Sequence, residues 1–530
     1  MLRRHFLIGS ISPLVLSAVY GGGRAWSSSA GGAGDSTPII TTRLGDVRGS
    51  VAEGIHVFKG IPFSAPPVGA NRLQPPNPPE PWEGVRDALA FGPKPPQAAY
   101  PPGIAEFIPE LVGPGEDCLT LNIWTPELGQ ADLPVMVWIP GGMFEFHATG
   151  ATAYYDGSRF ARDGVVCVTI NYRVGAEGFL YLGDGIANLG LLDQIAALEW
   201  VRDNIAAFGG DPGNVTIFGE SAGAMSVATL LAMPRAKGLF HRAIVQSGNT
   251  PNVNSAETAK RIGHHLAEAM GVVPTRDAIA TAPLERLLDA QTELREELLQ
   301  RPDPALWGEV MQHYIPWAPT IDGETLPEPP IEAIRTGAAA EIDLLVGSNT
   351  EETRLFLLPD GTLDRVTDEA LPAMAAAYGL TAEGLSAYRA ARPDNTPGDV
   401  FSAIQTDWYW RIPALRMADA HANTARASTY MYEFAWPSPQ MGGRLGAAHS
   451  VEIPFVFDTL GFGTEPMLGP NPPQSLADEM HRRWVAFAAT GDPGWPPYDL
   501  RRRATMRFDE TSAVVNDPLA EERALWEGVR

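Results

Sequence analysis

The stretch Val215-Thr216-Ile217-Phe218-Gly219-Glu220-Ser221-Ala222-Gly223 passes from a short apolar run, through a serine between two glycines, into a segment of helix formers at 222–232. Buried strand, sharp turn and helix is the reading this order of residues predicts. The turn forces unusual dihedrals on Ser221, and glycine at 219 and 223 relieves the crowding against neighbouring backbone. The serine hydroxyl is thereby lifted to the carboxyl end of a strand, facing a helix N-terminus. A Gly-x-Ser-x-Gly string arises by chance about a third of the time in a chain this long, so the strand and helix around it carry the weight.

Working outward, Leu133-Pro134-Val135-Met136-Val137-Trp138-Ile139 and the VVCVTIN run at 165–171 are short and continuously apolar, as strands buried on both faces are. Leu344-Leu345-Val346 reads as another strand. Between them, 189–208 has helical spacing, with Leu191, Ile195, Leu198, Val201 and Ile205 on one face. Strands alternating with helices predict an α/β architecture with a large, mostly parallel central sheet. The segment 255–315 is helix-rich and acidic and reads as an insertion around that sheet. Proline clusters at 62–102 predict irregular, surface-running chain. No linker interrupts the pattern, so 35–530 is read as one catalytic domain.

Composition narrows the function. The 530 residues are 45% apolar and 19% charged, and 63 acidic against 39 basic side chains leave a net charge of −24. Such a surface repels phosphate backbones, which excludes nucleic acid as a partner. Two cysteines exclude a disulfide scaffold and a cysteine-based zinc site. At the N-terminus, Arg3 and Arg4 precede a 15-residue apolar run at 6–20. A membrane span needs about 20 such residues, so 1–30 reads as an export signal and no stable span is expected. The string Leu2-Arg3-Arg4-His5-Phe6-Leu7 is similar to the twin-arginine signal, which predicts a periplasmic or secreted protein.

A neutral serine is a weak nucleophile and needs a base, oriented by a third group. In strand–turn–helix sites of this kind the acid and then the histidine follow downstream. His264 and His265 are adjacent and read as a solvated helix surface. His449 stands apart: it follows Gly446-Ala447-Ala448 and precedes the apolar anchor Ile453-Pro454-Phe455-Val456-Phe457. For the acid, Glu351 and Glu352 lie just beyond the strand at 344–346, where α/β sites gather. Spacing does not choose between them. Gly183-Asp184-Gly185 is no dinucleotide loop, because Asn188 stands where a third glycine belongs. No metal, nucleotide or redox cofactor is called for.

With these residues in place, the sequence resembles the type-B carboxylesterase and lipase family, which includes the cholinesterases. The matching blocks are Phe208-Gly209-Gly210-Asp211-Pro212 leading into 219–223, Glu116-Asp117-Cys118-Leu119-Thr120-Leu121-Asn122, KGIPF at 59–63, NLGLLDQ at 188–194, AHSVEIPFVF around His449 and TGDPGWPPY at 490–498. The resemblance implies an α/β-hydrolase fold and a Ser221–His449–Glu352 triad, since Glu352 ends the family's G-x-x-x-[DE]-E pattern. It implies an oxyanion hole from the backbone N–H groups of Gly142, Met143 and Ala222, with Met143 where the family carries a glycine. Glu220, Ser247 and Glu452 match its supporting polar network near the histidine.

Two departures shape the expectation. Pro95 stands where the family's partner for Cys118 would be, and Cys167 lies within a strand, so two free thiols and no disulfide are predicted. The loop 96–117, lacking that bridge, is expected to be mobile and to gate the site. It also lacks the tryptophan that binds quaternary ammonium in cholinesterases, which argues against choline esters. Phe107, Met143, Phe144, Trp307, His313, Tyr314 and Trp317 are candidate pocket residues. The activity so implied is hydrolysis of small uncharged carboxylic esters through an acyl-enzyme. The alternatives are a non-catalytic adhesion protein of the same family, which would lack the nucleophile, and a true lipase, which would need a large apolar lid.

Overall fold

A computed structural model describes residues 37–100 and 103–529. The segment read as an export signal lies outside the described residues. Eleven strands form the main sheet: β1 (Ser50–Ala52), β2 (Ile55–Pro62), β3 (Thr120–Thr125), β4 (Leu133–Ile139), β5 (Val166–Ile170), β6 (Gly210–Glu220), β7 (Arg242–Gln246), β8 (Asp343–Asn349), β9 (Thr429–Phe434), β10 (Ala504–Phe508) and β11 (Ala513–Asn516). Their spatial order is β11-β10-β9-β8-β7-β6-β4-β5-β3-β2-β1. From β5 to β10 every neighbouring pair is parallel, and both margins are antiparallel. A separate three-stranded sheet, Ile39–Thr42, Gly45–Arg48 and Val85–Asp87, precedes the loop region.

The continuous apolar runs are explained by a core on each side of the sheet. In β4, Val135, Val137 and Ile139 pack into one cluster with the helices on that face, while Met136 and Trp138 enter the other. In β8, Leu344 and Val346 face the first cluster and Leu345 the second. Each fully buried side chain of this size is worth about 1.5–3 kcal/mol.

Helices needed below are α1 (Gly175–Phe179), α2 (Leu189–Asn204), α3 (Ala222–Leu230) and α4 (Leu284–Gln300). The spacing in 189–208 suggested one apolar face, but α2 is buried nearly all round. Its polar residues are accommodated by pairing: Asp193 accepts from Arg173 Nε at 2.8 Å and Nη2 at 2.7 Å, with both side chains out of solvent. The predicted helical insertion is present as Ala256–Ala269, Arg276–Ala280 and α4. Among the described residues, no helix is long and apolar enough to cross a membrane.

Candidate active site

β6 ends at Glu220, Ser221 turns with φ 55° and ψ −126°, and α3 begins at Ala222. Such dihedrals are rare for a residue with a side chain and persist only when the surroundings impose them. Here they do. A Cβ at Gly219 would lie 2.6 Å from the Ile139 carbonyl oxygen, and one at Gly223 would overlap the same atom. The Ser221 N–H is tied to Gln246 O at 3.0 Å across the sheet. Its side chain keeps slight exposure at 8%.

The loop carrying His449 arrives from 97 residues beyond the acid, and the two meet at full burial: His449 Nδ1 lies 2.6 Å from Glu352 Oε2. The other Glu352 oxygen accepts the Asn349 N–H at 2.8 Å, and the His449 N–H donates to Glu352 O at 3.2 Å. Glu351, the alternative that spacing left open, instead accepts the Ala447 N–H at 2.9 Å and braces the histidine loop from outside.

His449 Nε2 does not meet the serine. It lies 3.0 Å from Glu220 Oε1, which also accepts from Ser450 Oγ at 2.7 Å. Among the described residues, no hydrogen bond joins Ser221 Oγ to His449. A buried carboxylate is a stronger acceptor for an imidazole N–H than a hydroxyl, and the ring rests on Glu220, the residue that precedes Ser221 in the chain. Burial pulls the His449 pKa down, but the carboxylates of Glu220 and Glu352 outweigh it and raise it to about 9. Burial pushes Glu220 up to about 7 against the pull of His449 and Ser450. Burial, with the nearby Glu220 and Glu352, pushes Glu452 up to about 8.

Glu452 is held by Asn349 Nδ2 at 2.7 Å and by Gln246 Nε2 at 3.3 Å, and Gln246 in turn accepts from Trp484 Nε1 at 3.0 Å. Ser247 is different. Its buried hydroxyl has no hydrogen-bond partner among the described residues, so no bond ties it to the Glu452 chain. Its backbone turns away at φ 49° just beyond β7.

Across Ser221, the chain leaving β4 lies close: a Cβ at Gly141 would sit 3.1 Å from Ser221 Cβ. Gly142 has φ 117°, a conformation open to glycine, and Met143 and Phe144 follow at φ 57° each. Met143 thus adopts the left-handed conformation that its Cβ disfavours. The N–H groups of Gly142, Met143 and Ala222 make no hydrogen bond among the described residues.

Comparison with known proteins agrees with this geometry. Residues 36–526 match the model of the carboxylesterase family. The chain belongs to the carboxylesterase family. It is 40% identical to the para-nitrobenzyl esterase of Bacillus subtilis over 92% of this chain and 97% of that one. Liver carboxylesterase of Sus scrofa is 33% identical, over 97% and 96% of the two chains. Among solved structures, a Geobacillus stearothermophilus carboxylesterase superposes with a TM-score of 0.80 at 39% identity, covering 92% of this chain and 99% of that one.

In this carboxylesterase the candidate pocket residues Phe107, Phe144, Trp307, His313 and Trp317 are buried, as Ser221 and His449 are. Phe144 packs edge-on against Phe179 at 5.0 Å, and Trp307 belongs to the core on one side of the sheet. The aromatic rings flanking His449 are Phe356 and Trp410, at 5.2 and 5.4 Å, stacked on each other at 5.9 Å. Trp410 lies in a π-helical turn, Asp407–Arg411, a distortion that re-aims side chains. The aromatic string Trp408-Tyr409-Trp410 was the available signal, masked by its helical surroundings.

The 96–117 loop is closed without a disulfide. Lys94 N–H donates to Gly113 O, Gly115 N–H donates to Lys94 O, and Lys94 Nζ pairs with Glu110 at 2.5 Å. Cys118 and Cys167 are buried free thiols. Among the described residues, no group of three or more His, Cys, Asp or Glu is placed to hold a metal ion.

Proposed function

We propose that this carboxylesterase hydrolyses small uncharged carboxylic esters through an acyl-enzyme on Ser221. The observation that carries the reading is the buried Glu352–His449 pair of 2.6 Å delivered beside the Glu220–Ser221 turn, with the chain after β4 so near that a Cβ at Gly141 would sit 3.1 Å from Ser221 Cβ. His449 first gives up its Nε2 proton to solvent; the neutral ring then swings from Glu220 to Ser221 Oγ, and Nε2 takes the serine proton as the oxygen attacks the ester carbonyl. The oxyanion is received by the N–H groups of Gly142, Met143 and Ala222. Collapse expels the alcohol, which takes the proton from Nε2. Water, deprotonated by the same nitrogen, then releases the acid and restores Ser221. Glu352 fixes the ring tautomer, while Glu220 stabilises imidazolium between steps.

The relatives support an ester substrate: one is named a para-nitrobenzyl esterase and another a liver carboxylesterase. The test is hydrolysis of p-nitrophenyl esters of rising acyl length, with Ser221→Ala alongside and fluorophosphonate labelling of both proteins. A short-chain optimum, labelling of the wild type alone and a loss on the order of 10³-fold or more in the variant are expected. Undiminished turnover by the variant removes the serine mechanism, and a long-chain optimum favours a lipase. Export rests on Arg3-Arg4 and the apolar run behind them. Replacing both arginines by lysine is expected to retain the enzyme in the cytoplasm, and unchanged export refutes a twin-arginine route.

A further inference from the structure

The insertion helix α4 reaches the loop 141–148 from two positions one turn apart, through α1 from Gln291 and directly from Arg295. Gln291 Oε1 accepts the Ala176 N–H, and the neighbouring Gly175 N–H donates to Phe144 O at 2.7 Å. Four residues on, and therefore on the same face of α4, Arg295 touches the loop with one side chain in three places. Its Nη1 donates to Glu145 Oε2 at 2.6 Å, its Nη2 lies 3.8 Å from Met143 Sδ, and its guanidinium carbon lies 5.0 Å from the centre of the Phe146 ring.

The loop needs such a grip. Met143, Phe144, His147 and Ala148 all have positive φ, between 38° and 60°. Each costs about 1–2 kcal/mol relative to an ordinary conformation. Locally the loop is closed by Glu145 and Phe146 N–H donating to Gly142 O at 3.0 and 2.8 Å, which sets the turn but not where it sits against Ser221. Glu145 is 2% exposed, its other carboxylate oxygen has no partner, and Arg295 supplies its only ion pair among the described residues. A buried carboxylate deprived of its cation would drag the loop toward water.

We propose that Arg295, through Glu145, is a positioning residue for the oxyanion hole: the ion pair from the insertion holds the Gly142 and Met143 N–H groups on the developing oxyanion. The proposal rests on the reading of those two groups as oxyanion donors. It confines the insertion's influence to transition-state binding, since Arg295 reaches the loop and not the reacting atoms.

The experiment compares wild type, Arg295→Met, Arg295→Lys and Glu145→Gln for p-nitrophenyl acetate hydrolysis, for inhibition by an aryl trifluoromethyl ketone, which forms a hemiketal on the serine, and for thermal unfolding. In Arg295→Met, kcat falls about 10- to 100-fold, KM changes by less than about threefold, and ketone affinity falls in step with kcat/KM. Arg295→Lys, which keeps the charge pair but not the flat guanidinium, recovers part of both. Wild-type kcat and ketone affinity in folded Arg295→Met, or a loss that merely follows the folded fraction, overturns the proposal. Should Arg295→Met fail to fold, Arg295→Lys and Glu145→Gln decide it by ketone affinity alone: weakened supports, unchanged refutes. Ser221→Ala separates the two layers. If it hydrolyses at the wild-type rate, the site reading itself falls; if it is inactive while Arg295→Met is normal, only the role of Arg295 falls.

Discussion

The loop that brings His449 to Ser221 and the loop that brings Gly142 and Met143 to it are held in opposite ways. Around His449, buried polar groups are linked to one another: Glu352, the main-chain N–H and side-chain amide of Asn349, Glu452, Gln246 and Trp484 form an unbroken run of hydrogen bonds behind the ring. In the loop 141–148, proposed above to hold the oxyanion, the backbone is strained, with left-handed residues at 143, 144, 147 and 148, and to its own turn bonds are added restraints from outside, from α1 and α4. Networks of the first kind set where protons reside. Strained backbone of the second kind sets where dipoles point, and it persists because the surroundings over-determine it. Changes on the histidine side should therefore move pH profiles, and changes on the oxyanion side should move rates at constant pH profile.

The largest effect expected on the first side is from Glu352→Gln. The amide no longer selects the tautomer with Nε2 free to accept a proton, and kcat is expected to drop on the order of 10⁴-fold with folding intact. A decrease of tenfold or less, read from steady-state kinetics, would mean that another carboxylate orients the ring. On the second side, Gly142→Ala places a Cβ against the Phe146 carbonyl and His147 Cβ at φ 117°, which displaces the donors. A loss of about 10²- to 10³-fold in kcat is expected, with the pH dependence unaltered. A shifted pH profile in this variant would break the division between the two regions.

Glu220→Gln sharpens the comparison from the shared side. The Glu220 carboxylate favours the imidazolium, which cannot act as a base, so activity rises as pH passes upward through the His449 pKa near 9. Removing that negative charge lowers the pKa, and the acid limb of kcat/KM is expected to move to lower pH while kcat falls about tenfold. A limb that stays in place would show that Glu220 does not govern the ring. The smallest effect is expected from Ser247→Ala: the hydroxyl it removes is buried and unpartnered, so stability should change by no more than about 0.5 kcal/mol, measured by denaturant unfolding, with kcat unaltered. A loss of 2 kcal/mol or more, about what a lost buried hydrogen bond costs, would place a hidden partner at Ser247.

Much of the site was legible because local constraints write themselves locally. Gly219 and Gly223 are demanded by the Ile139 carbonyl, and a serine between them after an apolar run has few other uses. Aromatic residues are harder to place for the converse reason: Trp307 and Phe144, packed in the core, look no different in sequence from Phe356 and Trp410 beside His449, because size and apolarity suit a core and a pocket wall equally. Ser247 carried a family-like motif, yet its hydroxyl meets nothing.

From the chain alone followed the alternation of strand and helix and the bend at Ser221, since each depends on periodicity or on steric demands within a few residues, while the polar partners around it came from the resemblance of the sequence to a family. Only tertiary structure decided that His449 Nε2 rests on Glu220 instead of Ser221, that Glu351 braces a loop while Glu352 holds the ring, and that Arg295 reaches Glu145 across 150 residues of chain. These are choices among competing partners of similar chemistry, and distance in the folded chain makes them.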